Sequence, residues 1–359
     1  MKVYASATLW LGLAVALATG GAGAAQAAFS TDVVATTSGL VRGSSDGRVD
    51  SFLGVRYGRS TAGANRWTAP KLAEFAFGIF DATTPGDSCP QPINPFAATN
   101  TQSEDCLFLN VWRPHDAHFG NHRPVLIWIH GGALINGAGA AYDPEVMVEE
   151  SGIIVVTINY RLGALGWLAN AALADANGDS GNYGLMDQQL AMKWVHDNIF
   201  FFGGDPEQVT IAGESAGGLS TLTNMASPTA KGFFRGAIVE SGAYMLFDVQ
   251  SLAVQEALGA KFATAVGCTE TGDAAIAACL RNVPVATLLA NEGANGASPT
   301  AGVATLPQAL SQAFTSGEFN QVPVINGTNA NEGRLFEPLT FDPPFTFVPG
   351  GPAQALLNA

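Results

Sequence analysis

An α/β fold built on a mainly parallel sheet is the expectation for this 359-residue chain, and three observations carry it. "PVLIWIH" and "GIIVVTINY" are continuous apolar runs rich in β-branched residues, as expected of strands buried on both faces of a parallel sheet. "YGLMDQQLAMKWVHDNIFFF" has the spacing of a helix. Strand-like and helix-like stretches alternate through the middle of the chain, which places helices on both faces of one sheet. In such sheets the loops at the carboxyl ends of the strands hold the reacting groups.

The elements follow in order. The opening stretch has Lys2, an apolar run from Ala5 to Ala18 and the small residues Ala25-Gln26-Ala27. Residues 1–27 therefore read as an export signal, leaving 28–359 as one domain in a secreted, periplasmic or extracellular protein. The run is shorter than the ~20 apolar residues of a spanning helix, so no membrane anchor is expected. "LVRGSSDGRVDSFLGVRYG" reads as two strands around a glycine-rich turn, and "CLFLNVW" alternates like another. In the long helix Leu185, Leu190, Trp194 and Ile199 share a face, while Asp187, Gln188 and Asp197 are expected to point elsewhere. "QVTIAG", "GAIVE" and "VPVIN" complete the strands. No repeat or linker divides the chain.

Composition narrows the function. Hydrophobic residues make up 47% and charged residues 13%, which suits a filled core. The net charge of −14 has the wrong sign for nucleic acid or anionic lipid. Four cysteines fit an oxidising compartment and fall into two local couples, Cys89 with Cys106 and Cys268 with Cys279. Of the three possible connectivities, nearest-neighbour pairing is the simplest.

"VTIAGESAGGLSTL" concentrates the chemistry. A buried strand leads into a glycine turn and then a helix, the context of a nucleophile elbow, with Ser215 at its tip. "GSSDG" also matches G-x-S-x-G, but Ser45 sits in a polar turn with no helix after it. Attack by a serine on an ester creates an oxyanion that needs fixed N–H donors. Ala216, at the start of the helix, offers one. "WIHGGALING" supplies a glycine-rich loop whose Gly131 and Gly132 let the backbone turn its amides inward.

With "SEDCLFLNVW", "INYRLGALGWL", "FGGDPEQVTIAGESAGG" and "AIVESG" in the same order, the chain resembles the type-B carboxylesterase/lipase family, the cholinesterase-like group of the α/β-hydrolase fold, from about Val33 to Phe336. The resemblance implies a mainly parallel sheet with helices on both faces and the C-terminal part missing. It implies Ser215 as nucleophile, Gly132, Ala133 and Ala216 as oxyanion donors, and Glu332 of "NANEG", after a strand Val322–Asn326, as the acid. It also implies disulfides Cys89–Cys106 and Cys268–Cys279, and an ion pair between Glu104 and Arg66. The activity implied is hydrolysis of a small-molecule carboxylic ester through an acyl-enzyme, with no metal or organic cofactor.

Two departures stand out. Ala133 occupies a position where the family more often has glycine. The base histidine should follow Glu332, yet the five histidines are His115, His118, His122, His130 and His196. His130 is expected to shape the oxyanion loop, His196 lies in a helix away from the reacting edge, and the other three occupy a polar connection where no metal is expected. An incomplete C-terminus, about a hundred residues short of the family length, is the economical explanation. A short relative that binds without hydrolysing is the alternative. The first cysteine loop, "CPQPINPFAATNTQSEDC", has no tryptophan and only Phe96 as an aromatic, so no quaternary-ammonium site is expected there. The sequon Asn326-Gly327-Thr328 lies beside Glu332 and is expected to stay unglycosylated. Oligomeric state is left open.

Overall fold

In the computed structural model, residues 33–94, 97–242, 249–292 and 297–332 are described. The expected export signal, Phe96 and the stretch after Glu332 lie outside them. The chain begins with β1 (Val33–Thr36), β2 (Gly39–Arg42), β3 (Ser44–Ser45), β4 (Val49–Arg56) and β5 (Ile79–Asp81). The centre holds β6 (Phe108–Pro114), β7 (Arg123–Ile129), α1 (Glu145–Ser151), β8 (Ile154–Ile158), α2 (Gly163–Trp167), α3 (Tyr183–Asn198), β9 (Gly204–Glu214), α4 (Ala216–Ala226) and β10 (Gly236–Glu240). Then come β11 (Gln250–Ser251), α5 (Leu252–Ala265), α6 (Asp273–Asn282), α7 (Val285–Ala290), β12 (Thr300–Ala301), α8 (Leu310–Ser316) and β13 (Val324–Gly327).

The main sheet has eight strands in the order β13-β10-β9-β7-β8-β6-β4-β3. From β13 to β8 neighbours run parallel; β8, β6, β4 and β3 pair antiparallel. The sheet is therefore mixed, parallel in the half that carries the site. β8 is buried along its whole length. β7 departs from the expectation of burial on both faces: Val125, Ile127 and Ile129 are buried, whereas Leu126 and Trp128 are half-buried. The last strand starts two residues later than expected. Pro323 has no N–H to donate, and its carbonyl instead accepts from the Ala237 amide at 3.0 Å before the ladder begins at Val324.

The long helix corrects a third expectation. Asp187 and Gln188 do not face solvent: both are fully buried, because α2 and α4 pack on α3. Their polarity is used up by partners from elsewhere in the chain. Asp187 accepts from Arg161 Nε at 2.7 Å, Nη2 at 2.8 Å and the Arg161 amide at 2.9 Å. Gln188 donates to Ser220 and accepts from Asn224. Asp197 does sit near the surface, paired with Lys193.

Two disulfides, Cys89–Cys106 and Cys268–Cys279, decide the connectivity. Closing loops of 17 and 11 residues removes unfolded-state entropy worth about 3 kcal/mol each. The second one lies in a cluster of Trp67, Leu165, Phe262 and Leu280 that joins α2, α5 and α6. Glu292, mostly buried, accepts a hydrogen bond from the Ala164 amide at the start of α2. Burial pushes its carboxyl up to about 7. Among the described residues no helix is long and apolar enough to cross a membrane.

Candidate active site

The site is assembled where parallel strands end together. Glu214 on β9, Glu240 on β10 and Gly327 on β13 are in register. Ser215, Ser241 and the turn leading to Glu332 therefore leave the sheet at one edge.

Ser215 has φ 57° and ψ −122°, a conformation that costs a non-glycine residue about 1–3 kcal/mol. The surroundings impose it. Its amide donates to Glu240 O at 2.8 Å and its carbonyl accepts from Leu219 N at 2.9 Å. The flanking glycines are needed for space: a Cβ on Gly217 would lie 2.0 Å from Ile129 O, and one on Gly213 would lie 2.4 Å from the Gly217 carbonyl. Half-buried, Ser215 makes no side-chain capping bond to α4. The N-terminal amides of that helix, Ala216 first, point toward the reacting edge with the positive end of the helix dipole.

Ser45 has a different setting. Its hydroxyl lies 3.2 Å from His115 Nδ1, and Asp50 Oδ1 lies 2.8 Å from that same nitrogen. A relay needs hydroxyl and carboxylate on opposite ring nitrogens.

The loop after β7 faces the elbow. A Cβ placed on Gly131 would come within 3.3 Å of Ser215 Cβ. Gly132, Ala133 and Leu134 have φ of 105°, 56° and 60°. An amide N–H points opposite the carbonyl of the residue before it, so holding that carbonyl aims the donor. Gly131 O accepts from His130 Nδ1 at 2.8 Å, which fixes the Gly132 N–H. Gly132 O accepts from the amides of Ile135 at 3.0 Å and Asn136 at 2.8 Å, which fixes the Ala133 N–H. Ala133 keeps its donor, at the cost of a left-handed backbone worth about 1 kcal/mol relative to glycine.

His130 shapes this loop. It is buried, its ring stacks on Tyr160 at 4.4 Å, and its carbonyl accepts from the Tyr160 hydroxyl at 2.8 Å. Burial pulls the imidazole down to about 4, so it stays neutral, with the proton on the Nδ1 that faces Gly131 O. Other histidines are engaged elsewhere: His115 with Asp50, His122 with Asp205 at 3.8 Å, and His196 with Asp197 at 3.3 Å. The one cluster of metal-type side chains found among the described residues, Cys268, Glu270 and Cys279, has both sulfurs tied up in the disulfide.

Glu332 accepts hydrogen bonds from the Ser241 hydroxyl and from the Asn329 amide at 2.7 Å. Those bonds, Ser241 first, hold its carboxyl below the usual range. Ser241 is buried with φ 51°, its amide donates to Gly327 O at 2.8 Å, and Asn329 Nδ2 donates to its hydroxyl at 3.3 Å. Glu214 is half-buried, and its carboxyl is raised by burial, then by the charges of Glu332 and Glu240. The edge beside Ser215 is thus negative, which favours a protonated imidazole there.

The profile of the carboxylesterase family matches residues 30–347. The chain belongs to the carboxylesterase family. It is 36% identical over 317 residues to para-nitrobenzyl esterase of Bacillus subtilis (strain 168), covering 85% of this chain and 63% of that protein. Over 304 residues it is 34% identical to cocaine esterase of Homo sapiens, covering 81% of this chain and 53% of that one. A thermophilic PNB esterase of solved structure superposes with a TM-score of 0.77 at 33% identity, over 85% of this chain and 64% of that chain. The fold is the α/β-hydrolase fold of these esterases. This carboxylesterase-family chain spans just over half to under two thirds of the length of the relatives it matches.

The structure forms a sharp bend at Ser215, a glycine-rich loop facing it, and the Arg66–Glu104 pair, whose Nε–Oε1 and Nη2–Oε2 distances are 2.5 and 2.7 Å. Ser241 was missed as a site residue. Its signal was available in "AIVESG", since a residue just past a central strand lands on the reacting edge.

Proposed function

We propose that this protein hydrolyses carboxylic esters by acyl transfer through Ser215. The observation that supports it most is the strained Ser215 facing a loop whose two donor peptides are each held by their carbonyls. The Ser215 hydroxyl attacks the ester carbonyl, and the oxygen that becomes negative is held by the amides of Gly132, Ala133 and Ala216. The alcohol leaves, and water releases the acid from the acyl-enzyme. Glu332, fixed by Ser241 and Asn329, orients a histidine base and stabilises its charged form. This chemistry calls on no metal or organic cofactor.

No histidine of this sequence follows Glu332, and none of the earlier ones for which a ring partner is seen turns toward Ser215. The 359-residue chain is therefore expected to hydrolyse p-nitrophenyl acetate weakly by itself and faster when imidazole is added. Ser215→Ala should remove that gain; an equal gain in Ser215→Ala would refute the proposal.

The substrate is a small-molecule carboxylic ester. Names of relatives range from para-nitrobenzyl esterase to cocaine esterase and fumonisin B1 esterase, a spread that selects no acyl or alcohol group. None favours binding without hydrolysis. The two disulfides fit a secreted or extracellular protein. Removal of residues 1–27 on export is part of this proposal, and N-terminal sequencing of the secreted product should begin at Ala28 or within a residue or two of it.

A further inference from the structure

The loop closed by Cys89–Cys106 carries a buried glutamine, Gln91, that meets the far end of the oxyanion loop. Its primary amide is used on all sides. Gln91 Oε1 accepts from the Gly137 amide at 3.0 Å, and Nε2 donates to the Gly137 carbonyl at 2.9 Å, a paired contact with both backbone groups of one residue. The remaining positions go to its own loop: Oε1 accepts from Ala98 N at 2.9 Å and Nε2 donates to Cys89 O at 3.1 Å. Next to it Asn136 donates to Pro92 O at 3.2 Å and accepts from Asn94 Nδ2 at 3.0 Å.

Gly137 is where force on the oxyanion loop would enter. Its φ is 106°, and a Cβ there would lie 2.4 Å from His130 Nδ1 and 2.7 Å from Gly131 O, the two atoms that aim the Gly132 N–H. Asn136, one residue earlier, donates to Gly132 O and so aims the Ala133 N–H. Both donor peptides therefore rest on the segment that Gln91 clamps.

We propose that Gln91 is a positioning residue for the oxyanion donors, transmitting the rigidity of the Cys89–Cys106 loop to Gly132 and Ala133. This rests on the ester-hydrolysis proposal for its catalytic consequence, though not for its mechanical one. A glutamine suits the task because only a primary amide presents an acceptor and a two-hydrogen donor side by side to a backbone N–H and C=O. Losing it strands buried groups on two loops at once.

The test compares Gln91→Met, of similar volume, with Asn100→Ala, which loosens the same disulfide loop at its bonds to Ser88 and Gly86. Hydrogen exchange followed by mass spectrometry should show residues 131–137 exchanging at least about tenfold faster in Gln91→Met, with α3 and α4 unchanged, and unaltered in Asn100→Ala. With imidazole supplied, kcat for p-nitrophenyl acetate should fall about tenfold or more in Gln91→Met while KM stays within about twofold, since donors act on the transition state more than on the bound ester. Should Gln91→Met fail to fold, Gln91→Glu keeps the acceptor and loses the donors, and should show the same pattern. Unchanged exchange at 131–137, a loss carried by KM alone, or an equal effect in Asn100→Ala would overturn the proposal. If the parent protein cleaves no ester, the ester-hydrolysis proposal fails separately and the exchange result still decides the role of Gln91.

Discussion

Replacing Glu292 by glutamine should make the protein more stable at pH 8 and leave it unchanged near pH 4. The carboxyl is buried and accepts from the Ala164 amide at the start of α2. Its folded pKa is raised from the ordinary 4.5 to about 7. A group raised in this way contributes stability that is fully present below 4.5 and is lost as pH climbs through 7. The gap is about 2.5 pH units at about 1.36 kcal/mol each, so ionisation removes about 3 kcal/mol by pH 8. Glutamine mimics the protonated acid and does not ionise. Urea unfolding of both proteins at half-unit steps from pH 4 to 8 should therefore show a difference in unfolding free energy that opens from near zero to about 3 kcal/mol. Because other titrating groups are common to both proteins, they cancel in the difference. A difference that stays flat with pH, or a parent protein more stable than Glu292→Gln at pH 8, would refute the assignment of a carboxyl raised by burial.

Three further outcomes follow from single contacts. Ala133→Gly should raise stability by about 1 kcal/mol, read from the urea midpoint, while Ser215 chemistry persists, because the left-handed backbone suits glycine. Asp187→Asn leaves Arg161 buried without its counter-charge, and unfolding free energy should drop by about 3–5 kcal/mol. Ser241→Ala should move the Glu332 carboxyl upward toward its ordinary range in a carboxylate NMR titration, since the hydroxyl is the first cause of its lowered pKa.

What was legible in the sequence was local. The elbow declares itself because Gly213 and Gly217 leave no room for a side chain, and the turn can be built from few residue types. The loop after β7 is similar: Gly132 takes a positive φ that glycine adopts freely. What was not legible depends on which distant residues meet. Asp187 looks like a surface position until Arg161 and α2 close over it. Ser241 acquires its partner because β10 and β13 run in register, 88 residues apart at Ser241 and Asn329. Gln91 and Gly137 are separated by 46 residues, and nothing in "CPQPIN" signals that the amide will pair with a glycine beyond the next two strands.

Ester hydrolysis through Ser215 requires that its side-chain oxygen at the β9–α4 bend take up an acyl group. Acid-quenching the protein during turnover of a p-nitrophenyl ester with imidazole, then mapping the added mass by peptide, addresses this directly. The acyl group is expected on Ser215 and absent in Ser215→Ala. Acyl mass on Ser45 or spread over lysines, with the same total in Ser215→Ala, would contradict it.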